Sequence, residues 1–178
     1  MKIQYATSYV YPLSTISAHV SQVPNEQTHR TISLETRGNV ALFGVFGYEL
    51  DLGQLSPSEI EIVKKQIQDV KRYRPLIMNG AFYRLENPFT SDVAAWMVVS
   101  KDKKQALVGY YKMRNETNKA YIRLKLKGLE PSYKYEIVSR EELHYGDELM
   151  YAGIAVYQHE LSNRSGDYSS VVYELVSH

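Results

Sequence analysis

The sequence of 178 residues contains no cysteine. This absence excludes disulfides and every metal or redox site built on thiolates, and it is typical of cytoplasmic proteins. The net charge is only +1, so the composition gives no electrostatic reason to expect a nucleic acid as a partner. From these two features we expect a cytoplasmic protein that binds no nucleic acid.

Long apolar runs are also missing. None approaches the roughly 20 residues that a membrane-spanning helix needs. The N-terminus carries Lys2 without an apolar stretch behind it, so we expect neither a membrane partner nor a signal peptide. The hydrophobic content of 44% and the charged content of 23% are ordinary for a globular chain, which can form one large domain or two small ones.

Several motifs of cofactor chemistry do not occur. There is no Gly-x-Gly-x-x-Gly or Walker-type loop for a nucleotide and no Gly-x-Ser-x-Gly elbow for a serine nucleophile. We expect no metal and no cofactor, because the five histidines lack ligand spacing: His19, His29, His144, His159 and His178.

The clearest predicted element is a helix from Ser56 to Asn79. Ser56 suits the N-cap, Pro57 suits the first helical position, and Glu59 completes a Ser-x-x-Glu capping box. Apolar residues then recur at helical spacing along one face. Gly80 is expected to end the helix in a left-handed conformation.

A continuous apolar run from Val40 to Phe46 precedes this helix and predicts a strand buried on both faces, as in parallel sheets. A second short strand is predicted between Ser14 and Val20. Two β/α units cannot close a sheet, and each half-solvated apolar side chain would cost on the order of 1.5–3 kcal/mol. We therefore expect residues 1–55 to be poorly ordered, rearranged or buried against another chain.

After Gly80 the pattern changes to short strands separated by turns, which indicates an antiparallel β-sandwich. Sixteen tyrosines suit half-buried strands, and they also suit a sugar-binding surface. Trp96 lies within an apolar strand, which favours core packing over sugar stacking. The predicted strands are Ala94–Val99, Ala106–Tyr111, Tyr121–Lys127, Tyr133–Val138 and Ser170–Val176.

Carboxylates near the buried strand are the remaining candidates for chemistry. Glu49 and Asp51 follow its C-terminal end, the side on which α/β barrels place their active sites. They could instead cap neighbouring backbone or pair with Arg37 or Arg30. The spacing of Glu35 and Arg37 indicates an ion pair rather than an acid/base couple.

A polar loop from His19 to Gln27 follows the other predicted strand and would lie on the same side of a barrel. A single histidine in such a loop either makes structural hydrogen bonds or contributes to the rim of a site. The sequence leaves both readings of His19 open.

A set of short segments carries a resemblance to a known family: Lys2-Ile3-Gln4-Tyr5, Tyr11-Pro12, Ala18-His19-Val20-Ser21, Pro24-Asn25, Glu35 through Leu52, Phe82-Tyr83-Arg84-Leu85, Pro88-Phe89, Ala95-Trp96-Met97 and Leu126-Lys127-Gly128-Leu129. In this order they resemble the C-terminal third of bacterial α-galactosidases of glycoside hydrolase family 36. The run from Glu35 to Leu52 is the most specific.

The resemblance implies a fold and an activity. Residues 1–80 would be the last β/α units of a (β/α)8 TIM barrel, and residues 81–178 a C-terminal antiparallel β-sandwich. The parent enzyme would remove terminal α-linked galactose from sugars such as melibiose and raffinose with retention. Two aspartates about 5–5.5 Å apart would act as nucleophile and acid/base.

The family's two aspartate motifs, Lys-Trp-Asp and a Ser-Asp-rich segment, do not occur here. We therefore expect no catalytic residue in this chain and no activity of the chain alone. His19, Asn25 and Glu49 are the candidates for binding substrate at the rim. Where the family often has histidine, this sequence has Glu26.

The resemblance also implies partners: α-galactosides through the parent enzyme, the rest of the barrel or another copy of the chain, and assembly as a homo-oligomer. The alternative is a non-catalytic β-domain that binds carbohydrate or serves assembly.

Overall fold

The computed structural model of the protein describes residues 1–115, 121–162 and 166–178. None of the helices in these ranges combines the length and the apolar character needed to cross a bilayer. Short 3₁₀ helices cover Leu13–Thr15, Leu52–Gln54 and Gln158–Glu160. The main elements are α1 (Lys2–Thr7), β1 (Ser17–Ser21), α2 (Leu34–Ala41), β2 (Val45–Glu49), α3 (Pro57–Asn79), β3 (Ala81–Glu86), β4 (Val93–Val99), β5 (Gln105–Lys112), β6 (Ile122–Leu124), β7 (Lys134–Ile137), β8 (Glu142–Tyr145), α4 (Gly146–Tyr151), β9 (Ile154–Val156) and β10 (Ser169–Ser177).

The largest unit is a six-stranded antiparallel sheet in the order β3-β4-β5-β10-β7-β8. The predicted hairpin is confirmed, since β4 pairs with β5 in the register Val93↔Lys112 to Val99↔Ala106. With β1 and β2 pairing in parallel and four α-helices, the described part of the chain is a mixed α/β structure dominated by antiparallel pairing.

The central strands of this sheet are buried on both faces, which explains their continuous apolar sequence. Met97 and its alternating neighbours in β4 face one hydrophobic cluster, and Trp96 faces another. Trp96 is 1% exposed, with its ring 4.6 Å from that of Tyr111 and 6.1 Å from that of Phe43. The prediction that Trp96 packs in the core is confirmed.

A small two-stranded sheet of β6 and β9 belongs to the Met97 side. The predicted alternation is confirmed, since Leu124 and Leu126 are buried and Arg123 and Lys125 are exposed. The strand itself is shorter than predicted, because only Ile122 to Leu124 pair with β9.

Residues 1–79, called the N-terminal layer below, pack on the Trp96 side of the large sheet. Leu42 and Phe43 are buried in one cluster with Trp96 and Leu107. The prediction that the apolar run needs another chain or is disordered is therefore wrong for these side chains. The large sheet of the same chain covers Leu42 and Phe43. Sequence periodicity does not reveal this contact, because it joins distant segments.

The predicted strand from Val40 to Phe46 is also placed too early. Helix α2 runs to Ala41 and strand β2 begins only at Val45. Ser33 is the N-cap of this helix, and its side chain accepts a hydrogen bond from the Thr36 backbone at 3.2 Å. A short apolar run is compatible with a helix end and with a buried strand, so periodicity alone cannot distinguish the two structures.

Helix α3 begins and ends where predicted, with Ser56 as the N-cap and Asn79 as the last residue, and departs from the prediction only in the conformation of Gly80. Ser56 caps the helix, and the reciprocal bond from Ser56 N to Glu59 Oε2 is 2.9 Å long. Gly80 is extended, with φ −80 and ψ 167, not left-handed as predicted. A Cβ at this position would lie 2.5 Å from the Val98 side chain, so close approach to β4 explains the glycine.

Candidate functional site

The parallel pair of β1 and β2 brings two chain segments to one edge. Its register runs from Ser17↔Val45 to Ser21↔Glu49, and Gln22 N extends it by donating to Glu49 O at 3.0 Å. Because the strands are parallel, their carboxyl ends meet at the same edge. The residues that end or follow both strands are therefore neighbours.

The two faces of this pair differ in burial. Ala18 and Val20 are buried in a cluster with Leu34 of α2 and Val63 of α3. His19, which alternates with them, points to the opposite, exposed face. Helices thus cover one face of the pair, and the other carries the candidate site.

His19 and Glu49 lie together on the exposed face. His19 Nδ1 is 3.8 Å from Glu49 Oε2, and the two side chains are 46% and 72% exposed. His19 Nε2 lies 3.1 Å from Ser17 Oγ. The imidazole packs on the backbone of Gly47, where a Cβ would come within 2.9 Å of His19 Cδ2. The structure thus brings two of the three predicted rim residues together.

Asn25, the third rim candidate, makes its contacts within its own loop. Its side-chain oxygen accepts hydrogen bonds from Gln27 N at 3.2 Å, Thr28 N at 3.0 Å and Thr28 Oγ1 at 2.9 Å. Such bonds are typical of an Asx-type turn. The side chain of Asn25 therefore shapes the loop that follows β1.

Asp51 caps backbone, which is one of the two readings that the sequence left open. Its carboxylate accepts hydrogen bonds from Gly53 N and from Gln54 Nε2, both at 2.9 Å. These bonds hold the turn that follows β2. The side chain is thus engaged in local structure next to Glu49.

Arg37 has a role that the sequence did not reveal. Its guanidinium donates to Ile32 O at 3.0 Å and to Ser21 O, instead of forming the predicted pair with Glu35. Burial lowers the pKa of Arg37, and the charge of Glu59 acts in the opposite direction. Arg37 ties both ends of the loop between β1 and α2 together, and no spacing in the sequence indicates these carbonyl partners.

The chemistry available at this edge is hydrogen bonding. A carboxylate accepts hydrogen bonds and an imidazole can donate or accept them, so the pair suits the hydroxyls of a polyol. Among the described residues, no group of three or more His, Asp or Glu side chains is arranged to hold a metal ion. The His19–Glu49 pair thus presents hydrogen-bonding groups on the exposed face.

Two family models match this chain. The model described as "Melibiase" matches residues 1–80, and the model described as "Glycosyl hydrolase family 36 C-terminal domain" matches residues 93–175. Together they account for most of the sequence.

Curated and solved relatives agree with these matches. The α-galactosidase AgaA of Geobacillus stearothermophilus is 47% identical over 98% of this chain. The α-galactosidase 1 of Pediococcus pentosaceus is 44% identical over 97% of this chain. The chain spans only 23% of the length of either relative. The crystal structure of AgaA superposes on 99% of this chain and 24% of its own with a TM-score of 0.93. Variants of AgaA are known in complex with raffinose and with stachyose.

Proposed function

Because this chain belongs to glycosyl hydrolase family 36, whose C-terminal region it matches, we propose that it serves as the C-terminal part of a retaining α-galactosidase. The whole enzyme would hydrolyse terminal α-galactosyl residues of oligosaccharides such as melibiose and raffinose. The observation that carries this proposal is the likeness to AgaA, at 46% identity and a TM-score of 0.93 over 99% of the chain.

The parallel β1–β2 pair supports the barrel part of the proposal. Residues 1–80 would form the last β/α units of a TIM barrel, with the exposed His19 face turned to its interior. Residues 81–178 would form the β-sandwich, with the β6–β9 sheet as its second layer. Active sites of such barrels lie at the carboxyl ends of the strands, where Glu49 ends β2.

The three rim residues would form the rim of the substrate site, and the bond cleavage would fall to residues outside this chain. The nucleophile and the acid/base would be the two aspartates of the family's motifs, neither of which occurs in this sequence. Glu49 and His19 would hold sugar hydroxyls, and Asn25 would shape the loop beside them. We expect the chain by itself to have no turnover.

The proposal requires a partner for the parallel pair. Within the described residues, β1 and β2 form a sheet of two strands, so each has an outer edge without a strand neighbour. Such edges pair readily with further strands. The remaining barrel strands, or another copy of the chain, would occupy them. We place the assembled homo-oligomeric enzyme in the cytoplasm.

A chimera tests this proposal. The C-terminal region of AgaA would be replaced by this chain, and hydrolysis of p-nitrophenyl α-galactoside would be measured for the chimera and for the chain alone. We expect turnover by the chimera and none by the chain. A folded chimera without turnover would argue against the proposed function, and turnover by the isolated chain would show that it holds its own catalytic residues.

Variants of the chimera test the rim. His19→Ala and Glu49→Gln should each lower kcat/KM by about tenfold, because one hydrogen bond to a charged or polar partner is worth about 1–2 kcal/mol. Glu61→Gln is the matched control, since Glu61 is a 70% exposed carboxylate of helix α3 that pairs with Lys64. An equal kcat/KM for Glu49→Gln and Glu61→Gln would show that Glu49 does not bind substrate.

A further inference from the structure

A separate cavity of about 180 Å³ lies in the antiparallel part of the chain. Strands β5, β6 and β9 and the short helix at Gln158–Glu160 supply its described lining. Three tyrosines, Tyr110, Tyr121 and Tyr157, line it together with Lys112 and Gln158. None of these residues takes part in the edge formed by β1 and β2.

Aromatic rings form the outer wall of the cavity. Tyr121 is 61% exposed and Tyr157 is 41% exposed, and their ring centroids are 6.5 Å apart. Tyr157 is held in place, since His159 stacks on it at 5.5 Å and the Arg140 guanidinium lies 5.0 Å from its centroid. A ring fixed before binding loses little conformational entropy when a ligand arrives.

Polar donors lie deeper in the cavity. Lys112 is only 8% exposed, and its ammonium donates to Asn115 Oδ1 at 2.7 Å and to Gln158 Oε1 at 3.2 Å. The hydroxyl of Tyr110 is a further donor, and burial together with the charge of Glu86 raises its pKa from 10 to about 12. The cavity thus combines aromatic surface with hydrogen-bond donors.

We propose that this cavity binds one ring of a neutral oligosaccharide. Aromatic rings contact the C–H faces of a sugar, while the ammonium, the phenol and the amide serve its hydroxyls. Lys112 is the one charged side chain in the described lining, and its ammonium already donates to the neutral amides of Asn115 and Gln158. Because it holds no second cation, the described lining suits a neutral polyol better than a multiply charged anion. The volume lies below the 300–1,000 Å³ of pockets for drug-sized ligands, which limits the ligand to about one ring.

This site is independent of the proposed enzymatic function, because it needs no part of the barrel. It gives the antiparallel part of the chain a binding role of its own. Through it, an oligosaccharide would be held at a second place while another molecule occupies the strand edge at Glu49.

Titration of the whole chain with raffinose tests the proposal, followed by ligand-observed NMR. We expect saturable binding with a Kd on the order of 1 mM. Tyr121→Ala and Lys112→Met should each raise this Kd about tenfold. Tyr151→Ala is the matched control, since Tyr151 is 77% exposed on helix α4, and it should leave binding unchanged. Tyr121 is exposed, so circular dichroism of Tyr121→Ala should match that of the unsubstituted chain.

Several results would overturn the proposal: no saturable binding, an unchanged Kd in folded Tyr121→Ala, or an equal loss in Tyr151→Ala. Binding of inorganic phosphate in place of raffinose would assign the cavity to anions. Loss of raffinose binding in Glu49→Gln would show that raffinose binds at the strand edge and not in the cavity. Activity of the chimera does not enter this test, so the two proposals fail separately.

Discussion

Replacing Trp96 with alanine is expected to lower the free energy of unfolding by about 3–5 kcal/mol, the range found when a buried Trp or Phe is truncated. Trp96 is 1% exposed and its ring meets those of Tyr5, Phe43 and Tyr111 at centroid distances of 6.5, 6.1 and 4.6 Å. These rings come from both the N-terminal layer and the large sheet. The cavity left by alanine would therefore lie at the contact between them.

Thermal unfolding followed by circular dichroism measures this effect. For a chain of this size, a loss of 3–5 kcal/mol corresponds to a fall in Tm of roughly 6–20 °C. Trp96→Phe should lose less, because it keeps a ring in the cluster. Tyr151→Ala serves as the exposed control and should stay within about 0.5 kcal/mol. A Tm for Trp96→Ala equal to that of the Tyr151 variant would contradict the packing described here.

The second large effect is expected at the ion pair of Arg140 and Glu160. Arg140 Nε lies 2.6 Å from Glu160 Oε1, and Arg140 Nη2 lies 2.7 Å from Oε2, which makes the pair bidentate. The side chains are only 9% and 14% exposed, and Tyr173 Oη donates to the same carboxylate at 2.7 Å. Glu160→Ala would remove the two nearest carboxylate contacts of the buried guanidinium, which would keep Ala155 O at 2.6 Å and the more distant Glu142 carboxylate at 3.7 Å. The expected cost is about 3–5 kcal/mol.

A matched variant separates this pair from surface ion pairs. Glu61→Ala removes a carboxylate that lies 2.6 Å from Lys64 Nζ, but both side chains are more than half exposed, at 70% and 62%. Such a pair contributes at most about 1 kcal/mol. Urea unfolding of the two variants gives both values. Similar losses for Glu160→Ala and Glu61→Ala would contradict the importance of burial.

The ion pair of Arg140 and Glu160 should also make the free energy of unfolding fall as the pH becomes acidic. Burial by itself would raise the pKa of Glu160, but hydrogen bonds from Arg140 and Tyr173 outweigh it and lower the pKa below the ordinary value of 4.5. The unfolded chain therefore takes up the proton first as the pH falls. The stabilisation is complete above pH 4.5 and is lost as the pH falls through the lower, folded-state pKa. The stability difference between the unsubstituted chain and Glu160→Gln should shrink in that range.

Features that rest on neighbouring residues could be predicted from the sequence. Helix α3 follows from Ser56, Pro57 and Glu59, which cap it within one turn. The hairpin of β4 and β5 follows from two apolar runs around a short polar turn. Both are local, so a single sequence contains the information that they need.

Features that rest on distant contacts could not be predicted in this way. The extended conformation of Gly80 goes with the close approach of Val98, and the end of α2 is hidden in an apolar run that continues into β2. In the candidate site, the contact of His19 with Glu49 depends on a parallel register between segments 30 positions apart in the numbering. The carbonyl partners of Arg37 likewise depend on how the loop closes.

The large sheet carries a hydrophobic cluster on each of its faces, and this limits how the chain can be divided. A cut between Asn79 and Ala81 would look natural, because α3 ends and β3 begins there. Yet it would strip the Trp96 side of the sheet of its only described cover, the N-terminal layer. Recombination or proteolysis at this joint would thus release a fragment with an exposed apolar surface. We expect the two parts to stay together in recombined proteins and to unfold as one cooperative unit.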